Sequence, residues 1–173
     1  NKQPTIIHFE ELNRASQQVR NAALQILLER EIGMNLKFND NVLMMSSGNL
    51  GDEDGTDVEE FDAALNNRLV HINHSLSVDE WLGDFASENC HKLISSFIRV
   101  HPEQMYKTVD GAKGYATPRS WTMLSKFITE NFGMEASPRD FLPLLKEVAS
   151  GYIGNSAMKF IQYCEDMLNI SIE

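Results

Sequence analysis

Two adjacent carboxylates, Glu10 and Glu11, stand directly after a short run of β-branched and aromatic residues, Thr5, Ile6, Ile7 and Phe9. Paired carboxylates suit proton transfer and the binding of hard cations. The run before them reads as a buried strand. In open α/β sheets ligands bind beyond the carboxyl ends of the strands, so such a pair would be delivered to a crevice. A strand that simply runs into a polar turn accounts for the same letters, and residues further along must decide. A second apolar run, Val42 to Met45, also ends in small and polar residues: Ser46, Ser47, Gly48 and Asn49. Arg119 is a third candidate. It falls in the first turn of a helix opened by Thr117 and Pro118, where a cation opposes the helix dipole. Placement against local preference fits either a functional role or a surface salt bridge.

Other reactive side chains point away from chemistry. His71 and His74 are three apart, which on a strand puts them on opposite faces and argues against a metal site. Cys90 and Cys164 are too few and too distant for a disulfide framework or a zinc cluster. They read as small buried thiols in a reducing, intracellular setting. The stretch from Asp52 to Asp62 is dense in acid, with Gly51 and Gly55 loosening its backbone. Like charges in a row read as a solvated loop; a second option is that they meet a basic surface on a neighbouring protein.

The elements that must position these residues follow from periodicity. Val19, Ala22, Ala23, Ile26 and Leu27 recur at helical spacing after a turn and N-cap at Asn13 to Ser16, which predicts a helix over 16–30. Residues 32–38 read as a short hairpin arm and Val42 to Met45 as a strand. Strand, helix, strand with polar ends is the βαβ pattern of a parallel sheet. Thr56 or Asp57 can cap a short helix carrying Phe61, Ala64 and Leu65, and Leu69, Val70 and Ile72 read as one more strand. From Ser77 onward everything reads as helix. Ser77 with Glu80 forms a capping box before the stripe Val78, Trp81, Leu82, Phe85. Leu93, Ile94, Phe97 and Ile98 continue it to Pro102. Further helices start at Thr117 with Pro118, at Ser137 with Pro138 and at about Asn155. The change of character divides the chain into an α/β part, 1–75, and an all-helical part, 76–173. There is no internal repeat and no low-complexity tract.

The chain has 173 residues, 42% hydrophobic and 23% charged, enough for one core and a small second one. A net charge of -10 argues against a nucleic-acid backbone or an anionic membrane as the main partner. No run approaches the roughly 20 apolar residues needed to cross a bilayer, and no signal peptide opens the chain. These features lead to the expectation of a soluble, cytoplasmic protein without a membrane partner. The first residue is Asn1 and a strand begins almost at once, which suggests a piece of a longer polypeptide.

Four segments together resemble one family, in order. FEELNRA (9–15) after a strand is similar to a Walker B segment, and SSGN (46–49) at the next strand end to a sensor 1. FDAALNNR (61–68) resembles the helix end that carries an arginine finger, and ATPRSW (116–121) a sensor 2 in a helical lid. The chain thus resembles the MoxR-like branch of the AAA+ ATPases over nearly all its length. The resemblance implies a partial P-loop NTPase fold, an α/β parallel sheet followed by an all-α lid. It implies ATP and Mg2+ as cofactors, a homo-oligomeric ring, usually a hexamer, and a client protein that ATP turnover remodels. Glu11 would then orient or deprotonate the attacking water, and Glu10 would hold Mg2+. Asn49 would bond to the γ-phosphate or that water, Arg119 would reach the nucleotide from the lid, and Arg68 would point into the next subunit's site.

Two departures qualify the resemblance. Family members usually carry Asp where this chain has Glu10, and the extra methylene moves the carboxylate by about an ångström. No GxxxxGK[ST] phosphate loop occurs in the sequence, nor the strand and helix that would precede Thr5. The expectation is therefore a fragment of a AAA+ ATPase that does not hydrolyse ATP by itself. The alternative is a non-catalytic scaffold or binding module that retains the fold.

Overall fold

The computed structural model describes residues 3–33, 36–49, 66–67, 69–107 and 115–170. Its contacts separate two compact units, Asn1–Asn73 and His74–Glu173. No helix among the described residues is long and apolar enough to cross a membrane.

The first unit is mixed α/β. In chain order it contains β1 (Thr5–Phe9), a 3-10 turn (Leu12–Arg14), α1 (Gln17–Glu29), β2 (Glu31–Ile32), β3 (Leu36–Lys37) and β4 (Val42–Ser46). β1 and β4 pair in parallel, Thr5 opposite Val42 through Phe9 opposite Ser46. Parallel strands cannot be joined by a tight turn, and α1 lies within the crossover. The helix ends at Arg30, whose backbone is left-handed at φ 56. The Arg30 guanidinium donates to the carbonyls of Asn39 and Val42 at 2.7 and 2.6 Å, which anchors the start of β4. β2 and β3 form the expected hairpin arm, Glu31 opposite Lys37. Ser16 occupies the N-cap of α1, but its hydroxyl makes no capping bond.

Two expectations for this unit need correction. β1 is not buried on both sides. Alternation puts Ile7, Phe9, Val42 and Met44, all half-buried, on one face of the pair. Ile6, Leu43 and Met45 lie on the other and are 63%, 59% and 46% exposed. A parallel sheet is shielded on both faces when helices cover both, and one crossover supplies a helix to one. Leu69, Val70 and Ile72 form no strand; Val70 and Ile72 are 90% and 84% exposed. Strand propensity reflects packing on a pleated surface, and among the described residues Val70 and Ile72 meet no such surface. The acidic stretch 52–62, the short helix expected after Thr56, and Arg68 lie outside the described residues.

The second unit is helical. A helical segment, α2, runs from Val78–Glu80 through a π-helical stretch, Trp81–Ala86, into Ser87–Asn89. There follow α3 (Lys92–Val100), a 3-10 turn (Pro102–Gln104), α4 (Pro118–Phe132), α5 (Pro138–Ile153) and α6 (Ser156–Ile170). Capping boxes open three of the helices: Ser77 with Glu80, Thr117 with Ser120, and Ser137 with Asp140. Each reciprocal pair satisfies two backbone donors that the first turn leaves open. The core is aromatic at its centre. Phe97 meets Trp121 and Phe160 at centroid distances of 5.4 and 5.1 Å, and the Trp121 indole donates to the Gln104 carbonyl at 2.9 Å. Ile94, Ile98, Met105, Leu124, Ile128 and Phe141 close around them. Cys90 and Cys164 are free and buried, as their composition suggested.

Phe85 departs from the expected stripe and is 39% exposed. In the π-helical turn the Ser87 amide donates to the Leu82 carbonyl five residues back, so the phase of the helix shifts by one position. Ala86, fully buried, takes the inward place in line with Trp81.

Candidate functional site

The two parallel strands leave the sheet side by side, and their ends are knitted together. The Ser47 amide donates to the Phe9 carbonyl at 3.0 Å, and the Leu12 amide donates back to the Ser47 carbonyl at 3.3 Å. The ladder thus continues past both strand ends. A His8 Nε2 contact with Ser47 Oγ at 2.9 Å adds a side-chain link. Further out, Asn13 Nδ2 donates to the Asn49 carbonyl at 2.6 Å. Glu10, Glu11 and Asn49 are therefore brought to one edge of the sheet.

Glu11 is held in an unusual backbone. Its φ of 51 and ψ of 40 place a non-glycine residue in the left-handed region, where it caps the 3-10 turn Leu12–Arg14. Left-handed backbone costs a residue with a Cβ about 1–2 kcal/mol and persists where the surroundings impose it. Here the Leu12 and Ser47 bonds on one side and the Phe9 link on the other impose it. The Glu11 carboxylate pairs with Arg14 at 3.0 Å, both side chains about half exposed. Glu10 is exposed beside it. Both acids thus stand at the strand ends with their side chains open to solvent.

Arg119 belongs to the second unit. It is the second residue of α4 and exposed, one position after Pro118 in a turn whose amides are capped by Thr117. Arg68 lies outside the described residues. Of the residues singled out by sequence, the structure brings together Glu10, Glu11 and Asn49 within one unit and puts Arg119 on the other.

Sequence reasoning missed the residues that make the junction. Asn13 was read as part of a turn, yet it is 8% exposed and reaches across to the second strand end. Gly48 was read as a small residue at a strand end, yet its Cα lies against the Asn13 amide: an added Cβ would collide with Oδ1 and stand 2.7 Å from Cγ. The signal in the sequence is an Asn two positions after the acids and a Gly one before Asn49, which has meaning only once the strands are known to be neighbours.

Among the described residues no three His, Cys, Asp or Glu side chains gather as a protein-only metal cage. A groove of about 350 Å³ on the helical unit is lined by Arg139, Leu142, Pro143, Lys146 and Leu168. Lys146 there is already paired with Glu165 at 2.6 Å, so the groove offers less uncommitted polar chemistry than the strand ends. Comparison with protein-family models, curated proteins and solved structures finds no match to this chain.

Proposed function

We propose that the chain is the C-terminal part of the nucleotide-binding core of an ATPase of the AAA+ class, MoxR-like branch, together with its helical lid. In this reading the complete protein forms a ring of identical subunits, a hexamer by resemblance, and couples ATP binding and hydrolysis to remodelling of a client protein. The supporting observation is the knitted pair of parallel strand ends, which carries Glu10 and Glu11 on one side and Asn49 on the other. Phosphoryl transfer rests on positioning a water and on neutralising charge, and the carboxyl edge of a parallel sheet is where such groups act.

Glu11 orients the attacking water and accepts its proton. Asn49 donates to the γ-phosphate or holds that water. Glu10 fits Mg2+, because it is an exposed hard carboxylate and Mg2+ takes one or two carboxylates with phosphate and water completing its shell. When bound, Mg2+ supplies positive charge beside the phosphates. Arg119 addresses the nucleotide from the lid and Arg68 serves the neighbouring subunit, where an arginine finger is worth on the order of 10³ or more in rate.

A non-catalytic scaffold is the second reading, favoured for this chain alone by the absence of a GxxxxGK[ST] segment from its sequence. Without those backbone amides and their lysine, the remaining groups bind ATP poorly. The test is phosphate release from Mg·ATP. This chain gives none, and a polypeptide extended upstream through a phosphate loop turns over ATP and stops on Glu11→Gln. Turnover by this chain itself, abolished by Glu11→Gln, would refute the assignment of an incomplete site. An extended polypeptide that carries the loop and stays silent establishes the scaffold reading instead.

A further inference from the structure

Among the described residues, Asn13 is the buried polar side chain at the strand ends to which the proposed chemistry gives no role. Its Nδ2 holds the Asn49 carbonyl at 2.6 Å, while its Oδ1 is buried without a hydrogen-bond partner. Leaving an amide oxygen unpaired away from water is costly, so packing alone would be served better by an apolar residue. The Asn13 carbonyl accepts from Arg20 Nη1 at 3.5 Å, and Arg20 Nη2 donates to Gln17 Oε1 at 2.6 Å. The 3-10 turn that follows Glu11 is thereby tied to the first turn of α1. On the opposite side Gly48 gives the amide its room, since a Cβ would meet Oδ1 and lie 3.1 Å from Nδ2.

Asn13 comes two residues after Glu11, and Gly48 immediately precedes Asn49. Of the backbone bonds between the strand ends, the one from Leu12 to Ser47 lies furthest out, and Asn49 is two residues beyond it. The Asn13 side chain spans that interval. We propose that Asn13 is the positioning residue of this site, and that its seat on Gly48 sets the separation between Glu11 and Asn49. The chemical part of this inference rests on the ATPase reading; the geometric part does not. Asp would keep the shape and lose the donor, Gln would overreach by a methylene, and Leu would pack without holding the carbonyl.

The test is a double-mutant cycle on this chain: Asn13→Ala, Gly48→Ala and both together, followed by amide NMR and hydrogen exchange. Each single change is expected to shift the Asn49 amide resonance and to lower protection at Leu12 and Ser47. The double variant is expected to be no worse than Asn13→Ala, because the amide that the new methyl group would strike is gone. Additive losses, or an Asn49 resonance indifferent to Asn13→Ala, overturn the proposal. Should Asn13→Ala not fold, Asn13→Leu keeps the branched shape, removes the donor without adding a charge and must move Asn49 in the same way; an unmoved Asn49 overturns the proposal as well. In an extended polypeptide that hydrolyses ATP, Asn13→Ala lowers kcat on the order of 10²-fold with little change in KM, as misplaced groups do. An unchanged kcat there counts against positioning. Lack of turnover by the wild type ends the ATPase reading and leaves the cycle to decide the geometry.

Discussion

His91 makes the helical unit sensitive to acid. Its ring is 2% exposed and lies edge-on to Phe141 at 5.6 Å. Nδ1 accepts from the Leu93 amide at 3.3 Å, capping α3, and Nε2 reaches the Ala136 carbonyl at 3.2 Å. The neutral ring with its proton on Nε2 satisfies both contacts; a proton added at Nδ1 sets N–H against N–H. Burial pushes His91 below its ordinary 6.5 and Lys92 adds to this, against the opposing pull of the Ala136 carbonyl and Glu135. Because the folded state then binds the proton less well than the unfolded chain, the stabilisation is complete above about pH 6.5 and is lost as pH falls through the folded pKa. One proton gives at most about 1.4 kcal/mol per pH unit. Glu103, held down to about 2 by the hydrogen bond from Lys159, stays ionised through this range and adds no slope of its own. At neutral pH, His91→Ala removes the cap and leaves the Ala136 carbonyl unpaired, a loss of roughly 2–4 kcal/mol. Urea unfolding followed by Trp81 and Trp121, both buried in this unit, measures both effects across about pH 5 to 7.5. Parallel pH profiles for wild type and variant, or a variant within about 0.5 kcal/mol of wild type, would refute the reasoning.

Two other experiments address the helical unit. Gly151 lies within α5, and an added Cβ meets nothing within 4 Å. Gly151→Ala should therefore stabilise by about 0.5–1 kcal/mol through the unfolded chain's lost freedom, and a lower melting temperature would contradict this. Burial pushes the Cys164 thiol up to about 12, with Glu165 adding to it. The thiolate is the reactive form, so an alkylating reagent at neutral pH should leave Cys164 unmodified until the unit unfolds. Mass spectrometry after a brief exposure checks it, and prompt labelling of folded protein would contradict the assignment.

Legibility in the sequence followed the range of the interaction. The capping box of Ser77 with Glu80 and the helix starts at Thr117 and Ser137 could be located because the chemistry is local, while the partners Ser120 and Asp140 emerged with the structure. The parallel pairing of the first and second apolar runs was also legible, since the intervening helix pattern leaves few other topologies. The exposure of Ile6 and Leu43 was not, because it depends on how many layers cover the sheet. Leu69 to Ile72 had strand letters without a partner. Asn13 and Asn49 are 36 positions apart, and neither letter announces the other. The acids and Asn49 were therefore found as candidates, while the amide that joins their supports appeared only in three dimensions.

The wide turn at Trp81–Ala86 carries one residue more than regular winding needs. Regular winding at unchanged length would swing the Phe85 benzyl group into the space that the Ala86 methyl group now fills. A single-residue deletion between Leu82 and Phe85 would instead restore regular winding with Ala86 four places after Trp81 and still inward. For anyone trimming or grafting this unit, the spare residue is the place to shorten it: Gly83 borders open space, and its removal leaves Trp81 and Ala86 on one inward line.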